Sequence, residues 1–286
     1  MSIPKHILDK FPKLSNDNLL NNLSLPSGRN KMILDTDTAN EIDDQFALAW
    51  TLLSEDKIDL LGVTAEPYSF QHHKEELLEA YDIITKNKKI DVSNQELVSD
   101  YSNWVNGLIE SKKHPNDIYF DTPEEGVEKS YQEIINIYQK LDKNHEGKVF
   151  RGSLKYLENF DEPLDTESSR FIIDMCLKYP NEKIYVCAIG CLTNIASALL
   201  IKPEIIKNMV VVWTAGFPTF SFNHNKNSLN LVQDVHATQL LFECGVANVY
   251  LPGFNVGAQL TLSLPDMKEF VKGKGKIGDY LYHLYT

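Results

Sequence analysis

A strand that runs straight into four aspartates and then into a helix constrains this chain more than any other feature. Residues 31–50 read KMILDTDTANEIDDQFALAW. Met32, Ile33 and Leu34 form a short apolar run of the kind that makes a buried strand. Asp35, Asp37, Asp43 and Asp44 follow within ten residues. Phe46, Ala49, Trp50 and Leu53 then recur at i, i+3, i+4 and i+7, which predicts a helix with those four side chains on its apolar face. The acids therefore sit at the carboxyl end of a strand, where open α/β sheets bind ligands. One or two of them can complement a helix N-terminus. Four crowded carboxylates repel one another, and a hard cation with oxygen ligands, Ca²⁺ or Mg²⁺, relieves that repulsion.

The loop is not an EF-hand, which needs Gly at the sixth position from Asp35 and Glu at the twelfth, where this chain has Asn40 and Phe46. Phosphatases of the haloacid dehalogenase type also open with a strand and D-x-D. They usually carry Thr or Val where Ala39 stands and lack the adjacent acidic pair, so they are the second enzyme reading.

The rest of the chain alternates strand and helix. Residues 58–64 (IDLLGVT), 149–153 (VFRGS), 183–189 (KIYVCAI), 209–213 (MVVVW) and 247–251 (ANVYL) read as strands. The second of the chain's strands ends in Ala65-Glu66-Pro67, again at a carboxyl end, so Glu66 is a candidate to face the site, although a lone acid before proline is more often a solvated loop residue. Residues 123–141 predict a helix with Val127, Tyr131, Ile134, Ile135, Tyr138 and Leu141 inward. Residues 70–122 form a helical insertion, with stripes of Leu77, Tyr81 and Ile84 and of Leu97, Tyr101, Trp104 and Leu108. Residues 1–30, polar and rich in Asn, read as a loosely ordered lead-in to a single domain over 31–286. With no G-x-G-x-x-G, the expected fold is an open, mostly parallel, Rossmann-like α/β sheet with helices on both faces and no dinucleotide.

Composition narrows the partners. A net charge of −12 with no basic block argues against nucleic acid and anionic membranes. No apolar stretch suits a signal peptide or a transmembrane span, and the four cysteines show no C-x-x-C spacing. A cytoplasmic, reduced protein acting on a small molecule is expected, with a homo-oligomer left open.

The acidic stretch resembles the signature of the nucleoside hydrolases, an apolar strand followed by D-x-D-P-G-x-D-D and an apolar helix. Here Asp35-Thr36-Asp37 is followed by five residues, without the Pro-Gly, before Asp43-Asp44. Gly190-Cys191-Leu192-Thr193-Asn194-Ile195-Ala196 is similar to that family's G-x-L-T-N-I-A, and Asn230 and Asp234 match its E-F-N-x-x-x-D, with Ser228 in place of the Glu. The resemblance implies a Ca²⁺ held by Asp37, Asp44 and the backbone carbonyl of Ile189. It implies a nucleoside substrate whose N-glycosidic bond is hydrolysed, with Asp37 as general base and Asp43 and Asn230 on ribose. Asn40 is a further candidate for substrate contact, and Asp35 is expected to orient the loop. The family also places one more calcium aspartate at the start of a late helix. After Leu260 the acids are Asp266, Glu269 and Asp279, none in that setting, so a chain lacking the family's closing segment is expected, with Asp279 as a helix cap. An inactive relative that binds nucleoside or calcium is the alternative function.

Overall fold

The computed structural model describes residues 2–86, 88–221, 225 and 228–286. The described chain divides into two compact units, one running up to Tyr68 and resuming at Pro123, the other spanning 69–122. In chain order the first unit contains α1 (Lys5–Leu8), α2 (Asn16–Asn22), β1 (Asn30–Thr36), α3 (Ile42–Leu53) and β2 (Ile58–Ala65). The second unit holds α4 (Lys74–Thr85) and α5 (Gln95–Glu110). The first then continues with α6 (Pro123–Lys140), β3 (Val149–Phe150), α7 (Glu167–Lys178), β4 (Ile184–Ala188), α8 (Thr193–Ile201) and β5 (Met209–Ala215). It ends with α9 (Leu229–Val232), α10 (Val235–Glu243), β6 (Ala247–Pro252), α11 (Leu264–Asp266) and α12 (Gly275–Tyr285).

All six strands are parallel, in the order β3-β2-β1-β4-β5-β6. The order reverses between β1 and β4, and in such sheets the crevice outside the strand ends at that switch is where ligands bind. Side chains alternate between the faces of a strand. Ile33 accordingly joins the core made with α7, α8 and α10, including Ile172, Ile195, Trp213 and Leu240. Leu34 joins the opposite core with Leu48, Val127, Ile134 and Leu281, from α3, α6 and α12. The sheet is thus covered on both faces, as an all-parallel sheet must be.

Two expectations need correction. α3 forms, but Trp50 and Leu53 are 73% and 64% exposed, and the buried side consists of Asp44, Gln45, Leu48, Ala49, Thr51 and Leu52. The helix is rotated so that its first-turn acid faces inward, and the polar residues that follow from this carry no apolar signal. The lead-in is not loose either. Ile3, Ile7 and Phe11 are buried in the core beside Ile172 and Ile184. Only Ile7 lies on the one-turn α1, with Ile3 before it and Phe11 after it, so no helical periodicity marks the docked segment.

The second unit has its own core of Leu77, Ala80, Tyr101, Val105, Leu108 and Phe120. There Tyr101 donates to Glu76 Oε2 at 2.6 Å and its hydroxyl lies 2.6 Å from His73 Nδ1. Among the described residues no helix is long and apolar enough to cross a membrane.

Ile7 is fully buried, so Ile7→Ala should cost about 2–5 kcal/mol, the usual range for truncating a core aliphatic side chain. Denaturant unfolding checks this. An unchanged midpoint would contradict the docking of α1.

Candidate active site

Backbone pairing brings three strand ends to one place. Asp35 lies opposite Thr64 on β2 and Ala188 on β4. Beyond the strands the ladder continues: Ile189 N–H donates to Asp35 O (2.9 Å), and Glu66 N–H donates to Thr36 O (2.8 Å). The residues after β2 and β4 are therefore held on either side of the acidic loop that follows β1.

Within that frame Asp35 is wholly buried, and its Oδ1 accepts from Thr64 Oγ1 (2.5 Å) and Asn194 Nδ2 (2.9 Å). Asn194 Nδ2 also donates to Ala65 O (2.9 Å), so α8 is tied to both strand ends. Thr36 Oγ1 donates to Asp44 Oδ1 (2.6 Å), which leaves Thr38 Oγ1 as the donor of the 2.9 Å bond back to Thr36. Asp37 is 1% exposed, and its Oδ2 accepts from Asn40 Nδ2 (3.1 Å) in a turn closed by Asn40 N–H on Asp37 O (2.7 Å). Asp234 caps α10 through Ala237 N–H (2.9 Å) and also accepts from Thr193 Oγ1 (2.7 Å) and Leu157 N–H (2.9 Å).

Of the residues singled out from the sequence, Asp35, Asp37, Asp44, Asn40 and Ile189 are gathered at this switch point. Asp43 is exposed on the first turn of α3, outside the buried group. Asn230 reaches the site by an unforeseen route: its amide donates to Ile189 O (2.8 Å) and Thr214 O (3.0 Å), clamping the ends of β4 and β5. The Ile189 carbonyl keeps a second lone pair for another partner.

Glu66 corrects the reading of a solvated loop acid. It is 0% exposed; among the described residues no donor group reaches either carboxylate oxygen, and the Asp35 carboxyl stands within hydrogen-bond reach. Its backbone bond to Thr36 turns it into the crevice rather than out to water. Its position at the carboxyl end of the strand beside β1 was the available signal. Thr64 and Asn194 carried less, since a single polar residue in a strand or at a helix start is common.

None of the ion pairs among the described residues reaches Asp35, Asp37, Asp44 or Glu66. Burial accordingly pushes Asp37 up to about 7, with the nearby charges of Glu41 and Asp43 adding to it and its own backbone and Asn40 opposing. Burial also raises Asp44 well above the usual carboxylate range, reinforced by the charge of Asp37. Glu66 is raised in the same way, by burial and then by Asp35. Asp35 Oδ2 and both Glu66 oxygens are buried acceptors without donors. Among the described residues no group of three or more His, Cys, Asp or Glu side chains is placed so that it could hold a metal ion. In donor type and charge, though, these all-oxygen residues fit a hard divalent cation.

The family described as inosine-uridine preferring nucleoside hydrolase matches residues 32–286. The chain belongs to that family. Its acidic loop, glycine turn and β5–α10 segment all lie inside the match. It is 30% identical over 138 residues to "Probable uridine nucleosidase 2" of Arabidopsis thaliana, covering 47% of this chain and 42% of that protein. The rice (Oryza sativa subsp. japonica) protein of the same name is 30% identical over 131 residues, 43% of this chain and 38% of its own length. The matched stretch spans less than half the length of these curated relatives. Among solved structures, a plant nucleoside hydrolase superposes with a TM-score of 0.57 at 18% identity over 89% of this chain and 69% of that one. A purine-preferring ribonucleoside hydrolase from Gardnerella vaginalis gives 0.56 at 21% identity over 88% and 69%. These similarities establish the shared α/β fold.

The acids of this nucleoside hydrolase family member make its stability depend on pH. Burial pushes Asp37 up to about 7 in the folded chain, against about 4 when unfolded. The folded state thus binds more protons in between, and the stability present below about pH 4 is lost as pH rises through about 7. Without divalent cations, the melting temperature should fall from pH 5 to pH 8 more steeply than in Asp37→Asn. Equal slopes would contradict the burial of an unpaired Asp37.

Proposed function

We propose that this chain carries the active site of a calcium-dependent ribonucleoside hydrolase, which cleaves the N-glycosidic bond to give free base and ribose. The observation that carries this reading is the set of buried, uncompensated carboxylates at the switch point of a nucleoside hydrolase fold. Asp37, Asp44 and the Ile189 carbonyl would hold the calcium ion, which supplies positive charge to polarise ribose hydroxyls and to acidify a water. Asp37 takes the proton of the attacking water as general base, the bound ion keeping it ionised for that task. The water oxygen forms the new bond to the anomeric carbon while the carbon–nitrogen bond breaks, and the base departs with the bonding electron pair and takes up a proton from solvent. Asp43, exposed at the mouth, accepts a hydrogen bond from a ribose hydroxyl and favours the oxocarbenium-like transition state. Asn40 steadies Asp37 through its 3.1 Å bond and stands beside the sugar. Asn230, with its amide hydrogens given to two carbonyls, offers its side-chain oxygen to the substrate. Asp35 fixes the loop through Thr64 and Asn194.

One observation favours a second reading, a relative that binds nucleoside or calcium without turnover. Ser228, where the family carries a sugar-gripping Glu, is buried and accepts from Gly216 N–H (2.8 Å), so it is engaged with the backbone.

Ribose release from uridine and inosine, together with nucleoside affinity, separates the two. Asp37→Asn should lower turnover by roughly 10²–10⁴-fold, the usual weight of a general base, while most of the nucleoside affinity is kept. Asp43→Ala should weaken nucleoside binding by about 1.5–3 kcal/mol, the worth of a charge-assisted hydrogen bond. Turnover by Asp37→Asn at the wild-type rate would rule out the base assignment. Nucleoside binding by the wild-type chain without any ribose release would establish the second reading instead.

A further inference from the structure

Glu66 has no role in that mechanism, yet it is held where an ionised carboxyl must find a proton or a cation. It ends β2 fully buried, with both carboxylate oxygens lacking a donor among the described residues. One side of the group faces Asp35, whose Oδ1 is already taken by Thr64 and Asn194 and whose Oδ2 is likewise orphaned. A single proton shared with Asp35 would satisfy one oxygen of each. The other side of Glu66 turns elsewhere. A Cβ built on Gly190 would run into Glu66 Oε2 and, at 2.8 Å, into Asp37 Oδ1. The two carboxylates therefore point into the same small space, which exists because residue 190 has no side chain.

The backbone around that space is held firmly. Trp213 Nε1 donates to Gly190 O (3.0 Å), and Ile189 N–H donates to Asp35 O (2.9 Å). Gly190 thus stays in place, with the Ile189 carbonyl just before it. Two buried carboxyls that share a space, neither of them ion-paired among the described residues, must either take up protons or gather a cation.

We propose that Glu66 is a further calcium-binding carboxylate of this chain, joining Asp37, Asp44 and the Ile189 carbonyl so that the ion ties together the ends of β1, β2 and β4. The inference rests on the calcium reading above and adds to it a ligand from a third strand. Asp35 becomes a positioning residue for Glu66, held by Thr64 and Asn194.

Calorimetric titration of the full chain with CaCl₂ tests this, using wild type, Asp44→Asn, Glu66→Gln and Glu66→Asp, with melting curves in chelator as the folding control. Glu66→Gln keeps the shape and removes the charge. It should bind calcium at least tenfold more weakly than wild type, while melting in chelator at the same temperature or higher, because a neutral amide replaces an unpaired buried carboxyl. Glu66→Asp, which keeps the charge, should retain more affinity than Glu66→Gln. Calcium affinity of Glu66→Gln within twofold of wild type would overturn the proposal and leave Glu66 as a protonated partner of Asp35. Equal losses in Glu66→Gln and Glu66→Asp would also overturn it. If wild type takes up calcium and Asp44→Asn does not, the calcium reading stands whatever Glu66 does. If wild type takes up none, both fall.

Discussion

Negative charge buried without a counter-charge is the constraint around which this fold is arranged. Asp35, Asp37, Asp44 and Glu66 are each less than 5% exposed, and isolated ionised carboxylates in such settings either take up protons or recruit a cation. The strand order explains how they come to be there. β1 sits centrally, flanked by β2 and β4, so whatever follows its carboxyl end enters the crevice where the sheet reverses. The hydroxyls of Thr36, Thr38 and Thr64 and the amide of Asn194 hold part of the charge in hydrogen bonds. They do not neutralise it. That residual charge links the stability of the chain to its proposed chemistry, since the same carboxyls that oppose folding at high pH are those a cation and a sugar would engage.

Much of the architecture was legible because parallel sheets announce themselves. Strands buried on both faces read as continuous apolar runs, and IDLLGVT, KIYVCAI and MVVVW became β2, β4 and β5 with ends shifted by one or two residues at most. What escaped was governed by tertiary context. α3 was visible as a helix, but its orientation was not, because the inward face begins with Asp44 and Gln45 and leaves Trp50 in solvent. Periodicity counts apolar residues, whereas this helix is turned by where a carboxylate must point. The N-terminal set of Ile3, Ile7 and Phe11 was too short and too diluted by Lys, Pro and Asp to register as a docked segment.

The site divides in the same way. Asp35, Asp37 and Asp44 lie on one contiguous motif, and their proximity follows from sequence alone. Ile189 and Asn230 come from distant segments and were reachable only through family resemblance. Even so, the use of Asn230 as a clamp on the Ile189 and Thr214 carbonyls is a property of the folded chain. Glu66 was half legible: its place at a strand's carboxyl end pointed to the site, while its full burial is a property of the fold. An acid before a proline is ordinarily solvated, and only the pairing of β2 beside β1 shows that this one is enclosed and faces Gly190 with Asp37.

The proposed calcium binding by these carboxylates has a built-in reporter. Trp213 donates to Gly190 O at the floor of the site, close enough for its excitation to sensitise a luminescent lanthanide standing in for calcium. Tryptophan-sensitised Tb³⁺ emission from the full chain therefore reads the occupied site itself. Emission is expected that excess Ca²⁺ titrates away and that Trp213→Phe greatly reduces. No sensitised emission, or emission that a large excess of Ca²⁺ leaves unchanged, would contradict a calcium site among these acids.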